Sequence, residues 1–163
     1  MIKISKSSYL KFNNIKFKCA IGKNGIKSNK TEGDKSTPSG SYKIISIYYR
    51  KDRIKNLRTT ITKKSIKKNM GWCDDISSEN YNKLVKIPYE FSFEKLYRKD
   101  HLYDIICVLN YNTCNIKKNK GSAIFIHLAN SKYKPTNGCI ALKKKDLIYI
   151  LKNITKKTKI FIG

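Results

Sequence analysis

Short apolar runs separated by turn-forming residues recur along this chain, and they never alternate regularly with helical segments. YLKFNNIKFKCAIG, SYKIISIYY, YDIICVLNY, SAIFIHL and KTKIFIG each read as strands, the first as a hairpin around Asn13-Asn14. A doubly wound parallel sheet needs a helix between successive strands, so that class is excluded and a mainly β domain with a few helices is expected. Helical spacing is clearest in KKKDLIYILKNI, where Leu147, Ile150, Leu151 and Ile154 share a face. Shorter helical pieces are expected after Ser77 or Ser78, which would cap one in GWCDDISSENYNKLV, and from Ser92 in SFEKLYR. Residues 50–70 are basic and weakly patterned, and read as loop with short strand pieces. No repeat or linker divides the chain, so residues 1–163 are expected to form one domain.

The net charge of +25 raises the question of a nucleic-acid partner. Only Arg50, Arg53, Arg58 and Arg98 are arginines, the residue whose planar fork suits phosphate. The lysines are distributed from end to end among many asparagines and isoleucines, which reads as a composition-driven solvated surface. No specific nucleic-acid partner is therefore expected. No apolar stretch is long enough to span a bilayer, and MIKISKSSYLKFNNIKF contains no apolar signal region. A cytoplasmic location is expected on that ground, or a periplasmic one if an export signal has been trimmed away.

Cys19, Cys73, Cys107, Cys114 and Cys139 form no CxxC pair, and only His101 and His127 could join them. That spacing fits no zinc pattern, so neither metal nor cofactor is expected, and the odd count points to free thiols. Cys107 and Cys19 lie in apolar runs and read as core. Cys139 differs, because it follows Gly138 at the exit of the turn KPTNG. His127 ends an apolar strand twelve residues earlier, so strand and turn can face each other across a cleft. An imidazole beside a thiol is the usual way to generate a nucleophilic thiolate. A glycine before the cysteine lets backbone N–H groups turn toward a substrate oxygen. On spacing alone, a semi-buried histidine and a core cysteine read equally well.

HLANSKYKPTNGCIAL resembles the active-site motif of the L,D-transpeptidase catalytic domain family (YkuD-type), in which a strand-borne histidine precedes a Gly-Cys turn. STPSGSY resembles the family's upstream Thr-Pro-x-Gly turn. EGD, YRKDR, GWCDD, YN, HLYD and GSAIFIH resemble a subgroup whose loop reads Pro-Thr-x-Gly-Cys-x-Ala-Leu. The resemblance implies a β-sandwich or barrel with Cys139 as nucleophile and His127 as general base and acid. It implies a Leu128 backbone carbonyl orienting the imidazole and an oxyanion hole from the Gly138 and Cys139 amides. Thr136, Asn137, Arg50 and Trp72 are the candidate substrate contacts, with Asp74 and Asp75 beside Trp72. Tyr103 and Asp104 read as structural hydrogen-bonding residues, and His101 as solvated. Three positions depart from the usual motif: Asn137 replaces a histidine, Ala141 an arginine, and Leu128 a glycine or serine. Arg50, Arg53 and Lys143 are the candidate replacements for the missing cation.

The implied substrates are peptidoglycan stem peptides or recycled muropeptides. Attack at the L-centre of the third residue would expel terminal D-alanine and leave a thioester. Water as acceptor gives an L,D-carboxypeptidase, the reading favoured by the expected location. An amine acceptor gives an L,D-transpeptidase forming 3→3 cross-links. The reading from another class is an inactive scaffold or a basic module binding nucleic acid or another anionic polymer. An activated thiolate predicts that Cys139 alkylates faster than the other four thiols. A monomer is expected.

Overall fold

The computed structural model describes residues 1–163. β1 (Ile2–Ser5), β2 (Tyr9–Phe12) and β3 (Ile15–Ala20) form an antiparallel meander. Asn13 and Asn14 make its second turn at φ 49° and 61°, the left-handed pair a two-residue hairpin needs. Across the first long loop, β4 (Ile26–Lys27) pairs in parallel with β5 (Thr37–Pro38). β6 (Gly40–Tyr42), β7 (Ile44–Tyr49) and β8 (Lys63–Ser65) follow. β9 (Met70–Cys73), β10 (Leu84–Lys86) and β11 (Phe93–Lys95) make a small antiparallel sheet in the order β10-β9-β11. β12 (Ile105–Leu109), β13 (Phe125–Leu128) and β14 (Ile140–Leu142) lead into the single helix α1 (Lys144–Asn153), and β15 (Ile160–Ile162) closes the chain.

Ten strands form one sheet in the order β6-β15-β1-β2-β3-β14-β13-β12-β7-β8. Strand alternation sends Ile4, Leu10, Phe17, Cys19, Ile126, Ile140 and Leu142 to one side. There they meet the apolar face of α1 (Leu147, Ile150 and Leu151, with Ile154 just beyond its end) and the loop residues Ile54, Leu57 and Ile61. On the other side, the small sheet covers β7, β12 and β13, with Trp72, Leu96 and Tyr103 packed against Tyr48, Ile106 and Phe125. The architecture is mainly β, as expected from the strand pattern, with one long curled sheet and a single helix. No helix is long and apolar enough to cross a membrane.

Of the few short helices expected, only α1 forms. After Ser77 the chain makes successive turns, because its polar side chains bind locally instead of leaving the backbone to helical bonding. Asp75 Oδ1 accepts from the Ser77 amide and hydroxyl, Ser78 Oγ meets the Tyr89 hydroxyl at 2.6 Å, and Asn82 is left-handed at φ 56°. In SFEKLYR, Phe93–Lys95 pairs with β9 as a strand. A segment this short cannot nucleate a helix in water, whereas pairing satisfies its backbone and buries Leu96.

Candidate active site

β13 and β14 are parallel neighbours, with His127 in register with Ala141. Cys139 stands two residues before Ala141, so its side chain leaves the sheet on the same side as the imidazole. Two residues of rise and one strand spacing separate their Cα atoms by about 8 Å. Both side chains open into a cleft of about 550 Å³, together with Leu128, Thr136, Asn137 and Ala141.

Two polar clamps fix the turn that presents the thiol. Thr37 Oγ1 accepts from the Gly22 amide at 2.8 Å and donates to the Gly138 carbonyl at 2.9 Å. This ties the Thr37-Pro38 turn to the cysteine loop across a hundred residues of chain. Behind it, buried Lys30 meets Asp34 at 2.7 Å, and Asp34 also accepts from the Ser36 amide and hydroxyl and the Thr31 amide. Burial pushes the Asp34 carboxyl up, but these donors outweigh it and hold it well below the usual carboxylate range. Gly138 sits at φ 132°, and a Cβ there would come within 2.8 Å of the Ser36 carbonyl oxygen. Only glycine fits both the dihedral and the contact.

His127 Nδ1 lies 2.9 Å from the Leu128 carbonyl oxygen. A carbonyl only accepts, so Nδ1 carries the proton and Nε2 keeps its lone pair. The Tyr103 ring packs against the imidazole at 5.2 Å and 72°, and its hydroxyl donates to Glu94 Oε1 at 2.5 Å. Burial pulls the His127 pKa down from 6.5 to about 4. The Cys139 thiol donates to the Ala123 carbonyl at 3.0 Å and accepts from the Phe125 amide at 3.4 Å. Although Cys139 reaches the cleft, packing around its sulfur pushes the thiol up to about 12, and the Glu94 carboxylate adds to the rise. Both shifts favour the neutral forms in the free protein, which sets the alkylation order expected of an activated thiolate against the order expected from exposure. Cys114 is exposed, so iodoacetamide should modify it before Cys139 near neutral pH, a sequence readable by peptide mapping.

The structure places the other candidates unequally. The Gly138 amide donates to Thr136 Oγ1 at 3.1 Å, while the Cys139 amide is engaged by no turn or loop hydrogen bond. Thr136 and Asn137 line the cleft, as does Asp74. Asp75 instead accepts from Ser77 and Ser92. Trp72 is buried beneath the cleft, with its ring against Phe125 and its Nε1–H donating to Asn82 Oδ1 at 2.9 Å. Arg50 lies outside it too, because its guanidinium stacks on Tyr97 and spends its donors on Asp52 and the Arg98 carbonyl. Arg53 is held by Asp104, and Lys143 approaches Tyr133, so neither enters the cleft. The cations that do line it are Lys35, Arg98 and Lys134. Arg98 is paired with Asp100 at 2.6 Å and stacked on Tyr103. His101 is exposed, with Nδ1 2.8 Å from Asp104.

Sequence reasoning passed over Glu94 and Arg98 and gave Tyr103 only a structural part, yet all three line the cleft. SFEKLYR offered no local signal for Glu94 or Arg98, since its apolar residues Phe93, Leu96 and Tyr97 have helical spacing and only the pairing with β9 makes it a strand. As a strand, it pairs Glu94 with Trp72 and so turns the carboxylate toward the main sheet. The family model described as L,D-transpeptidase catalytic domain (YkuD) matches residues 2–162. No curated protein matches the chain.

Proposed function

The chain belongs to the L,D-transpeptidase catalytic domain family, and from that premise we propose that it is an L,D-carboxypeptidase trimming D-alanine from tetrapeptide stems. The family acts on peptidoglycan through a cysteine, and here the observation that carries the chemistry is the Cys139–His127 pair opening into one cleft. His127 Nε2 takes the thiol proton as Sγ attacks the carbonyl carbon of the third stem residue. The Cys139 amide is the donor available to the resulting oxyanion. The C–N bond then breaks, the imidazolium protonates the departing D-alanine nitrogen, and a thioester remains on Cys139. Water, deprotonated by the same imidazole, attacks the thioester, and the proton returns to sulfur as the C–S bond breaks.

Water as acceptor asks only for the one stem that a cleft of about 550 Å³ accommodates, whereas an amine acceptor has to reach in from the cleft mouth. Transpeptidation is the second reading. Glu32, Asp74 and Glu94 line the cleft, where they would meet the ammonium of an acceptor stem. Mass spectrometry of a purified tetrapeptide incubated with the protein separates the two: tripeptide alone supports trimming, and a cross-linked dimer supports transpeptidation. Absence of both products would refute acyl transfer on stems.

The same assay carries a pH prediction. Since burial lowers the His127 pKa to about 4, the free protein holds the imidazole in its basic form above that value. kcat/KM should therefore fall as pH drops through about 4, and an acid limb near 6.5 would show that His127 does not titrate as a buried base.

A further inference from the structure

The lysines are spread along the chain, but the acidic residues are not, and both ends lack them. Residues 1–31 contain eight lysines and no acidic residue, and residues 147–163 contain four lysines and none. The fold brings these two segments together as the adjacent strands β15, β1, β2 and β3. Across them, Phe161 stands beside Lys3, Lys3 faces Lys11, and Lys11 faces Lys16, while Tyr9 faces Lys18 in the next row. All four lysines are exposed and none takes part in an ion pair. Like charges directly opposite on neighbouring strands repel, and an anion lying across the rows would relieve that repulsion.

This face is continuous with the catalytic one. Ala20 pairs with Ala141 and Ala141 with His127, so Lys16 and Lys18, in step with Ala20, stand on the imidazole's side of the sheet. Lys18 Nζ also reaches within 5.0 Å of the Tyr133 ring, in the loop that carries Lys134 and Thr136. The small sheet covers this side over β7, β12 and β13. The cleft lies where that cover ends, and the loop around Tyr133, which Lys18 reaches, joins its rim to the lysine rows.

We propose that Lys3, Lys11 and Lys16 form an exosite for a polyanionic polymer bearing the reacting peptides, its carboxylates over the lysine rows while one stem enters the cleft. The inference rests on the peptidoglycan reading and deepens it, since a polymer rather than a free fragment becomes the preferred substrate. Continuity with the cleft favours a substrate-bearing polymer over a bilayer. The four strands contain no arginine, and with Lys16 covering the Tyr9 ring at 3.9 Å, Phe161 is left as a single open ring, whereas stacking of successive bases needs several.

Co-sedimentation with peptidoglycan stripped of attached polymers tests the exosite. The K3Q/K11Q/K16Q variant should bind about tenfold more weakly than wild type at low salt, the expectation for three exposed charge contacts. The gap should close as salt rises, and turnover of a soluble tetrapeptide should be unchanged. Equal sedimentation of the two proteins would overturn the proposal. So would an equal loss on the soluble tetrapeptide, which would place the lysines' effect in the cleft or the fold. Tighter binding to phosphatidylglycerol vesicles or single-stranded DNA than to peptidoglycan would overturn it too. Sedimentation is read without turnover, so failure of the exosite and failure of the acyl-transfer reading are separately visible.

Discussion

Cys139→Ala is expected to lower the rate of D-alanine release by roughly 10⁶-fold, the loss seen when a nucleophile acting in concert with its base is removed. Sulfur is the only atom in the cleft that can form the thioester, and alanine keeps the Cβ while deleting it. The fold should survive, because the thiol's only partners are the Ala123 carbonyl and the Phe125 amide. Losing hydrogen bonds of this kind costs about 1 kcal/mol each. His127→Asn should approach the same floor, since a neutral thiol with a pKa near 12 cannot attack without a base to take its proton. The double variant should then be no worse than either single one, because the pair works as a unit. Thermal unfolding and tetrapeptide turnover measured on the three variants settle this. Substantial activity in Cys139→Ala would remove the thioester mechanism altogether.

The resting state makes that comparison sharper than the sequence suggested. A pre-formed thiolate would leave Cys139 partly competent without His127. Burial of both groups, with Nδ1 tied to the Leu128 carbonyl, makes attack depend on proton transfer to Nε2 within the complex.

Legibility followed the local or tertiary origin of each feature. The Asn13-Asn14 hairpin, the β12 and β13 strands and α1 were readable, because turn chemistry and apolar periodicity are written within a few residues. Cys139 and His127 stood out for the same reason, each placed by its own strand end or turn. Residues 77–83 and 92–98 misled because their propensity is weak and their partners distant. Asn82 bridges Trp72 and Asn112, and Phe93–Lys95 pairs with β9 twenty or more residues upstream. Arg50 illustrates the limit for charges. Its neighbours Asp52 and Tyr97 consume it, and nothing in YRKDR says which way the guanidinium turns. The lysine rows were hidden because they exist only once the two ends of the chain share a sheet.

Gly138→Ala should cost both stability and activity, and the two losses have separable causes. At φ 132° an L-residue is strained, by about 1–3 kcal/mol for a sparsely populated backbone region. Its Cβ would also sit 2.8 Å from the Ser36 carbonyl oxygen, a backbone atom in a loop already clamped by Asp34 and Thr37. Because that wall cannot yield, the cysteine turn must shift instead. A displacement of about 1 Å at a nucleophile lowers turnover by around 10²-fold. Gly25→Ala is the matched control, with φ 74° and open space around the added methyl group. It should lose stability alone, by about 1–2 kcal/mol for the left-handed conformation. Thermal melts and tetrapeptide turnover on both variants separate strain from displacement. Wild-type turnover in Gly138→Ala would mean that the Ser36 wall moves, and that the clamp from Thr37 to the Gly138 carbonyl does not set the position of the thiol.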